Sequence, residues 1–178
     1  MNAISPSVLQ QRDYSAAAKQ FLSRAPKIFI NNEWVASSHD ATIPVEDPSS
    51  GREIARIVDA SDADVNRAVA AARAAFDDGR WSGLPPIVRD RMINRLADLI
   101  EANADEFAEL EAIDNGKPKG MAAAVDIPGA ISQLRFMAGW ASKVSGETTQ
   151  PYTMPHGTVF SYTVKEPVGV CAQIVPWN

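Results

Sequence analysis

The sequence predicts an α/β protein, and three stretches of the chain support this prediction. Between residues 27 and 58, apolar residues alternate with polar ones around turn-forming residues, which is typical of β-hairpins. Between residues 61 and 143, apolar residues recur at the spacing of one helix face. Residues 168–175 carry no charge and mix β-branched with small residues, which predicts a strand buried inside a parallel sheet.

The composition predicts one folded domain and excludes several kinds of partner. Of the 178 residues, 46% are hydrophobic and 22% are charged, which is sufficient for one modest core. The net charge of −5 and the scattered Lys and Arg residues argue against nucleic acid. Cys171 is the one cysteine, which excludes a disulfide framework, and with two histidines we expect no metal site.

The amino-terminal residues 1–26 resemble a polar arm with a short helix over residues 15–23. They lack the apolar core of a signal peptide, and no apolar run in the sequence is long enough to cross a bilayer. We therefore expect no membrane partner and a reducing, cytoplasmic location.

Two hairpins are predicted after this arm. The first turns at Asn31 and Asn32, because asparagine tolerates the positive φ that a tight turn requires. The second turns between Pro48 and Gly51, and its return strand covers residues 53–58.

Four helical segments are predicted next. Ser61 and Asp64 have the spacing of a capping box at the start of the first helix, and Gly79 is placed to end it. Apolar residues between positions 88 and 100 mark the second helix. Asn103 is expected to begin the third.

The third helix is expected to end at the DNGKP sequence, residues 114–118, with Gly116 as a left-handed cap. In the fourth segment Pro128 predicts a helix start or a kink, with the longer helix over residues 129–143.

The carboxyl-terminal part returns to strands. Residues 148–165 predict a third hairpin with its turn between Met154 and Gly157. Because an isolated two-stranded hairpin is marginal in water, we expect it to pair with another sheet. Residues 166–178 are expected to form a strand whose carboxyl end reaches a ligand crevice.

Six segments together resemble the amino-terminal part of aldehyde dehydrogenases, in the family's order and spacing. They are FINNEWV, DPSSGREIA, DVNRAVAAARAAFDDGRW, RLADLIEANADEFAELEAIDNGKP, AGWASKVSGET and EPVGVCAQIVPWN. The resemblance extends from about residue 27 to residue 178, and it is nearest to the tetrameric, broad-specificity branch that includes phenylacetaldehyde-type enzymes. Six ordered segments are a far more specific signal than one glycine motif.

The resemblance implies an aldehyde dehydrogenase-like fold, in which hairpins and helices lead into the first strand of a Rossmann-like cofactor domain. It divides the chain into four parts: an arm over residues 1–26, part of the cofactor-binding domain over residues 27–147, an oligomerisation hairpin over residues 148–165 and the first sheet strand over residues 166–178. Because family members are several hundred residues long, we expect a fragment. It would be inactive alone, because the catalytic cysteine and the general-base glutamate would lie outside it.

The resemblance also implies oxidation of an aldehyde to a carboxylic acid with hydride transfer to NAD⁺ or NADP⁺. In the family, a cysteine thiolate attacks the aldehyde and forms a thiohemiacetal oxyanion, which becomes a thioester and is hydrolysed. Asn178 matches the asparagine that stabilises this oxyanion; the alternative is a turn-capping role. Ile174, Val175, Pro176 and Trp177 match the segment that lines the cofactor site.

Four further positions have separate interpretations. Val125 and Gly129 match the wall of the substrate tunnel, where glycine leaves room for a bulky, aromatic aldehyde; the alternative is that Gly129 relieves crowding after Pro128. Cys171 has no cationic residue near it in sequence, so we expect a buried structural thiol and not the nucleophile. Some relatives hold a monovalent cation near Asp114, but a simple helix cap is the preferred interpretation.

In the family, the hairpin over residues 148–165 adds to a neighbouring subunit's sheet, which implies a homodimer or homotetramer. One alternative function is a truncated, non-catalytic interaction or oligomerisation module. An exposed strand over residues 168–175 argues against it, because such an edge aggregates. A generic nucleotide-binding domain is the other alternative, and the sequence contains no glycine-rich phosphate loop to support it.

Overall fold

The fold comes from a computed structural model that describes residues 14–175. The strands are β1 (Ile28–Ile30), β2 (Glu33–Val35), β3 (Thr42–Asp47), β4 (Arg52–Val58), β5 (Tyr152–Met154) and β6 (Gly157–Val159). The helices are α1 (Ala16–Leu22), α2 (Asp62–Asp77), α3 (Pro86–Ala102), α4 (Ala104–Asn115), α5 (Lys119–Met121) and α6 (Ile127–Ala138). A π-helical turn, Ala122–Asp126, joins α5 to α6. The predicted mixture of helix and strand is confirmed.

Both amino-terminal hairpins form where their turn residues predict them. Strands β1 and β2 pair antiparallel around Asn31 and Asn32, whose φ angles are 51° and 65°. Strands β3 and β4 pair around a turn that ends at Gly51, with φ 65°. In both turns the residues at positive φ are of types that adopt this conformation at little cost.

The capping box predicted for α2 is present. The Ser61 hydroxyl accepts a hydrogen bond from the Asp64 N–H, and the Asp64 carboxylate accepts one from the Ser61 N–H. Helix α2 ends at Asp77, and Gly79 follows with φ 69°, as predicted. Likewise Gly116, with φ 81°, ends α4 in the left-handed conformation.

Asn103 directly precedes the first residue of α4, as predicted, although it does not cap that helix. Its side chain makes no capping hydrogen bond to α4; instead its amide donates to the Leu99 carbonyl, 2.8 Å away in α3. Asn103 alone separates the two helices, so its amide completes the carboxyl end of α3, where carbonyls otherwise lack partners.

Pro128 lies in the first turn of α6, which confirms the predicted helix start, but α6 has other bounds than expected. It begins at Ile127 and ends at Ala138. The Ile127 N–H donates to the Ala122 carbonyl five residues earlier, which closes the π turn. A wider turn here separates the proline ring from the preceding carbonyls that it would meet in an unbroken α-helix.

The core lies where α3, α4 and α6 meet around the π turn. Its buried members are small or medium-sized, with Ala97, Ala108 and Ala122 completely buried beside Ile127 and Ile131. Alanine side chains let helix backbones approach closely. Cross-helix ion pairs lie at the rim: Arg135 on α6 contacts Asp98 at 3.0 Å and Glu101 at 2.6 Å on α3.

The third hairpin is confirmed, with β5 and β6 antiparallel and a bridge between Thr148 and Tyr162 further along. Within residues 14–175 it pairs with no other sheet. Residues 168–175 form no strand, contrary to the prediction, and Val168 is 90% exposed. A buried strand needs neighbouring strands and apolar layers, and residues 14–175 supply neither to this segment.

The expectation that Cys171 is buried is also wrong, since its side chain is exposed together with the rest of this segment. None of the helices found between residues 14 and 175 has the length and apolar character needed to cross a bilayer.

Candidate functional site

The predicted site residues fall into two groups, one in the carboxyl-terminal segment and one in the helical region. Pro176, Trp177 and Asn178 lie outside the described residues. Ile174 and Val175 are described and are both exposed. Their proposed roles in the cofactor site therefore remain predictions.

The extended segment reaches the helical layer at one described point. Gly169, with φ 105°, lies beside α2, where a Cβ on it would come within 3.4 Å of the Arg73 guanidinium and 3.7 Å of the Phe76 ring. Beyond this contact, residues 171–175 are all exposed. The strand-end residues are thus not brought into contact with Val125 or Gly129 by any described interaction.

The second group lies along the continuous helical stretch from α5 to α6. Val125 is in the π turn and Gly129 is in the first turn of α6, and both are exposed. A Cβ on Gly129 would meet no heavy atom within 4 Å. No neighbouring element therefore crowds this position, and the open space beside it suits a ligand wall.

Large apolar side chains continue this exposed surface. Met121, Val125, Phe136 and Trp140 are each about half exposed and recur at intervals of four and eleven residues, close to the repeat of one helix face. We call these four residues, with Gly129, the apolar strip. The Phe136 and Trp140 rings pack edge to face, with 6.4 Å between their centroids. Exposed large apolar side chains that cluster on one surface are typical of a binding groove or an interface.

A charged network next to the strip was not predicted from the sequence. The Lys117 ammonium contacts the Asp126 carboxylate at the end of the π turn and lies 3.4 Å from the Glu111 carboxylate on α4. Burial lowers the pKa of Lys117, but hydrogen bonds with Asp126 and Glu111 outweigh this effect and raise the pKa above its usual value. From the sequence alone, the DNGKP segment predicts a helix cap but not this charged network.

Two buried carboxylates, each 1% exposed, lie outside this region. Asp64 accepts hydrogen bonds from the Ser37 hydroxyl at 2.6 Å, the Ser38 N–H and the Arg67 guanidinium at 2.7 Å. The Ser37 bond, opposed by burial and supported by the other donors, holds the pKa of Asp64 well below its usual range. A carboxylate so fully occupied stabilises the fold and is unsuited to catalysis.

Asp47 is arranged in the same way at the second hairpin turn. Its carboxylate accepts hydrogen bonds from the Ser49 N–H at 2.8 Å, the Ser49 hydroxyl at 2.6 Å and the Ser50 hydroxyl at 3.0 Å. Among the described residues, no group of three or more His, Cys, Asp and Glu side chains is placed to hold a metal ion.

Comparison with known proteins specifies the family to which this arrangement of hairpins and helices belongs. Residues 34–178 match the model of the aldehyde dehydrogenase family. The chain belongs to that family.

Individual relatives agree with this assignment. A mitochondrial benzaldehyde dehydrogenase of Antirrhinum majus is 45% identical over 152 residues, which cover 85% of this chain and 28% of that protein. A solved aldehyde dehydrogenase from Bacillus cereus superimposes with a TM-score of 0.85 at 38% identity, covering 93% of this chain and 33% of the other. An NAD⁺ complex of aldehyde dehydrogenase from Bacillus cereus gives a TM-score of 0.73 at 36% identity, covering 77% and 28%. The chain spans about a third of the length of the relatives it matches.

Proposed function

We propose that this chain forms the amino-terminal part of an enzyme that oxidises an aldehyde to a carboxylic acid and reduces NAD⁺ or NADP⁺. The observation that carries the proposal is the superposition on the Bacillus cereus aldehyde dehydrogenase over 93% of the chain. The NAD⁺ complex among the similar structures supports the choice of cofactor.

In this proposal Asn178 donates its side-chain N–H to the oxyanion that develops when a cysteine thiolate elsewhere in the enzyme attacks the aldehyde carbonyl. A neutral amide suits this position, because it stabilises the negative charge without trapping the intermediate as a full cation would. Bound NAD(P)⁺ would accept the hydride as the carbonyl carbon is oxidised. Water would then hydrolyse the thioester and regenerate the thiolate.

The experiment that tests the oxyanion role is Asn178→Ala in the full-length enzyme. Loss of one such donor is expected to lower kcat by roughly 10²–10³-fold with little change in cofactor binding. Gln173→Ala, which changes an exposed amide in the same segment, is the matched control and should retain normal turnover. Normal kcat in Asn178→Ala would refute the assigned role.

For the cofactor, we propose that residues 174–177 line the ribose and nicotinamide site. The basis for this proposal is the match of these residues to the family segment that lines the cofactor site. Ile174→Ala should raise the KM for NAD⁺ or NADP⁺ about ten-fold, since burial of a side chain of this size is worth about 1.5–3 kcal/mol and the alanine retains part of it. Val168→Ala, at the other end of the segment, should leave this KM unchanged.

For the substrate, we propose that Val125 and Gly129 form part of the tunnel wall and that the space at Gly129 admits an aromatic aldehyde. The benzaldehyde dehydrogenase among the relatives supports an aromatic substrate class by its name. Gly129→Met should lower kcat/KM for phenylacetaldehyde about ten-fold or more relative to acetaldehyde. Gly120→Met is the control, since a Cβ there also meets open space.

We further propose that residues 148–165 join subunits into a homodimer or homotetramer. Phe160 and Tyr162 are exposed on the hairpin, with ring centroids 6.0 Å apart. Burial of each ring would contribute about 1.5–3 kcal/mol to association. Replacing both with Ser should therefore shift the mass seen by light scattering toward the protomer, whereas Thr153→Ser with Thr158→Ser should not.

A cytoplasmic location is part of the same proposal. The single exposed thiol, Cys171, is compatible with a reducing compartment. The relative from Antirrhinum majus is named as mitochondrial, so the competing compartment is the mitochondrion. Fractionation of native cells with an antibody to the enzyme distinguishes the two locations.

A further inference from the structure

The π-helical turn at Ala122–Asp126 is an irregular element next to the proposed tunnel wall. In it the Ile127 N–H bonds the Ala122 carbonyl, so the turn holds one more residue than an α-helical turn. Such turns are less favourable than α-helix and persist where surrounding contacts hold them, frequently at functional sites. The contacts that hold this turn are therefore of interest.

Lys117 provides the most direct of these contacts from outside the helix. Its side chain is 17% exposed, and its ammonium contacts the Asp126 carboxylate on the last residue of the turn. On the other side it lies 3.4 Å from the Glu111 carboxylate, which also accepts a hydrogen bond from the Asn115 amide at 2.8 Å. One side chain thus ties the turn to the end of α4.

The backbone at Lys117 is itself fixed. Its N–H donates to the Asn115 side-chain oxygen at 3.0 Å, and it lies between Gly116 in the left-handed conformation and Pro118 with φ −62°. These constraints leave the backbone little freedom, and the two carboxylates around the largely buried side chain hold the ammonium beside Asp126. The contact is a property of the linker and not of a mobile surface lysine.

Helix geometry links this turn to the shape of the wall. An α-helix turns by about 100° per residue, so loss of the extra residue in the π turn would rotate the helix before the turn by about that angle relative to α6. Val125 lies within the turn and Gly129 lies beyond it. Their relative orientation therefore depends on whether the π turn is kept.

We propose that Lys117 is a positioning residue: by holding Asp126 it maintains the π turn, fixes Val125 relative to Gly129 and so determines the size of aldehyde that the tunnel accepts. This inference rests on the proposed aldehyde dehydrogenase function. It assigns Lys117 no contact with the substrate or the cofactor.

The test uses the full-length enzyme with Lys117→Met, Asp126→Asn and the double variant. The matched control is Lys119→Met, because Lys119 also forms ion pairs, with Asp105 at 2.9 Å and Glu109 at 3.4 Å, but both partners lie on α4. The measurements are kcat and KM for phenylacetaldehyde and acetaldehyde, the KM for the cofactor, and amide hydrogen exchange over residues 122–127.

Each single variant at positions 117 and 126 should change the phenylacetaldehyde-to-acetaldehyde ratio of kcat/KM about ten-fold, mainly through KM, with the cofactor KM unchanged. The double variant should resemble the singles, because both remove one contact. Exchange over residues 122–127 should accelerate in these three proteins and not in Lys119→Met.

The proposal is overturned if Lys117→Met and Lys119→Met have the same aldehyde ratio, or if exchange at the π turn is unchanged. A uniform loss of activity toward both aldehydes would also overturn it, since that result indicates only lost folded protein. If the unaltered enzyme oxidises no aldehyde with NAD⁺ or NADP⁺, the proposed function itself fails and the substrate claim fails with it, while the exchange result still shows whether Lys117 holds the turn.

Discussion

The layer of hairpins and helices over residues 28–138 and the carboxyl-terminal part over residues 146–175 are stabilised differently. In the first, the buried carboxylates Asp47 and Asp64 have hydrogen-bond donors from neighbouring turns, and the apolar core is completed by alanines. In the second, Phe160, Tyr162 and Ile174 remain exposed. The first region thus has a buried core and bonded buried carboxylates although it exposes most of the apolar strip, whereas no residue between 146 and 175 is fully buried.

The largest expected effect concerns the base of the third hairpin. A Cβ at Gly146 would lie 1.8 Å from the Thr163 carbonyl oxygen, a backbone atom that cannot move without opening the hairpin. Gly146→Ala should therefore cost about 3 kcal/mol, the upper part of the range for overpacking. Amide hydrogen exchange at Thr149 and Thr163, which bond across this base, measures the loss.

Gly120→Ala is the control for this substitution, because a Cβ there meets nothing within 4 Å and the position is helical. It should leave exchange in the hairpin unchanged. Equal exchange in Gly146→Ala and the unaltered protein would show that the hairpin base does not depend on this close approach.

The next effect concerns the alanine core of the first region. Ala97 on α3 is completely buried against α6, so Ala97→Leu forces three extra carbons into closely packed helices. The expected destabilisation is about 2 kcal/mol, seen as a lower melting temperature of the full-length protein. Ala102→Leu, exposed at the end of the same helix, should melt as the unaltered protein does; a similar loss in both would mean that packing is not the cause.

The acid dependence of stability tests the carboxylate of Asp64. Because its folded-state pKa lies below the ordinary value, Asp64 contributes stability that is fully present above about pH 4 and is lost as the pH falls further. Asp64→Asn should melt at a lower temperature at neutral pH and show a shallower decline below pH 4. Asp62→Asn, which changes an exposed neighbour, is the control and should lower the melting temperature at neutral pH much less than Asp64→Asn.

The smallest effect concerns the cap of α2. Ser61→Ala removes the hydroxyl that accepts from the Asp64 N–H, and it should cost about 1 kcal/mol. Ser132→Ala, at an exposed position of α6, should change the melting temperature much less. Equal stability of the two serine variants would show that the Ser61 hydroxyl does not stabilise α2 as a cap.

Local signals in the sequence were sufficient for the turns and helix ends. The Asn31-Asn32 pair, Gly51, Gly79 and Gly116 all adopt positive φ where their positions predict a turn or a cap. These turns and caps depend on backbone preferences and on partners a few residues away, so tertiary contacts change them little. The place of Asn103 before α4 was predicted as well, but which of the two helices its side chain bonds depends on how those helices meet.

The candidate site was predictable only where it resembles a family motif. Gly129 and Val125 were identified in this way, and the structure adds that the space beside Gly129 is open. The Lys117–Asp126 contact joins residues nine apart across a turn, and no periodicity marks such a pair. The predicted burial of residues 168–175 failed because burial requires neighbouring strands and apolar layers, which a local pattern does not provide.

The sequence by itself determined the order of elements, their turns and caps, and the family to which the ordered segments belong. These depend on local backbone energetics and on residue identities that can be read one segment at a time. Only the tertiary structure decided which polar groups are buried and bonded, where the π turn forms and which apolar surfaces stay exposed. Those outcomes depend on which distant segments meet, because burial and ion pairing are properties of assembled neighbours.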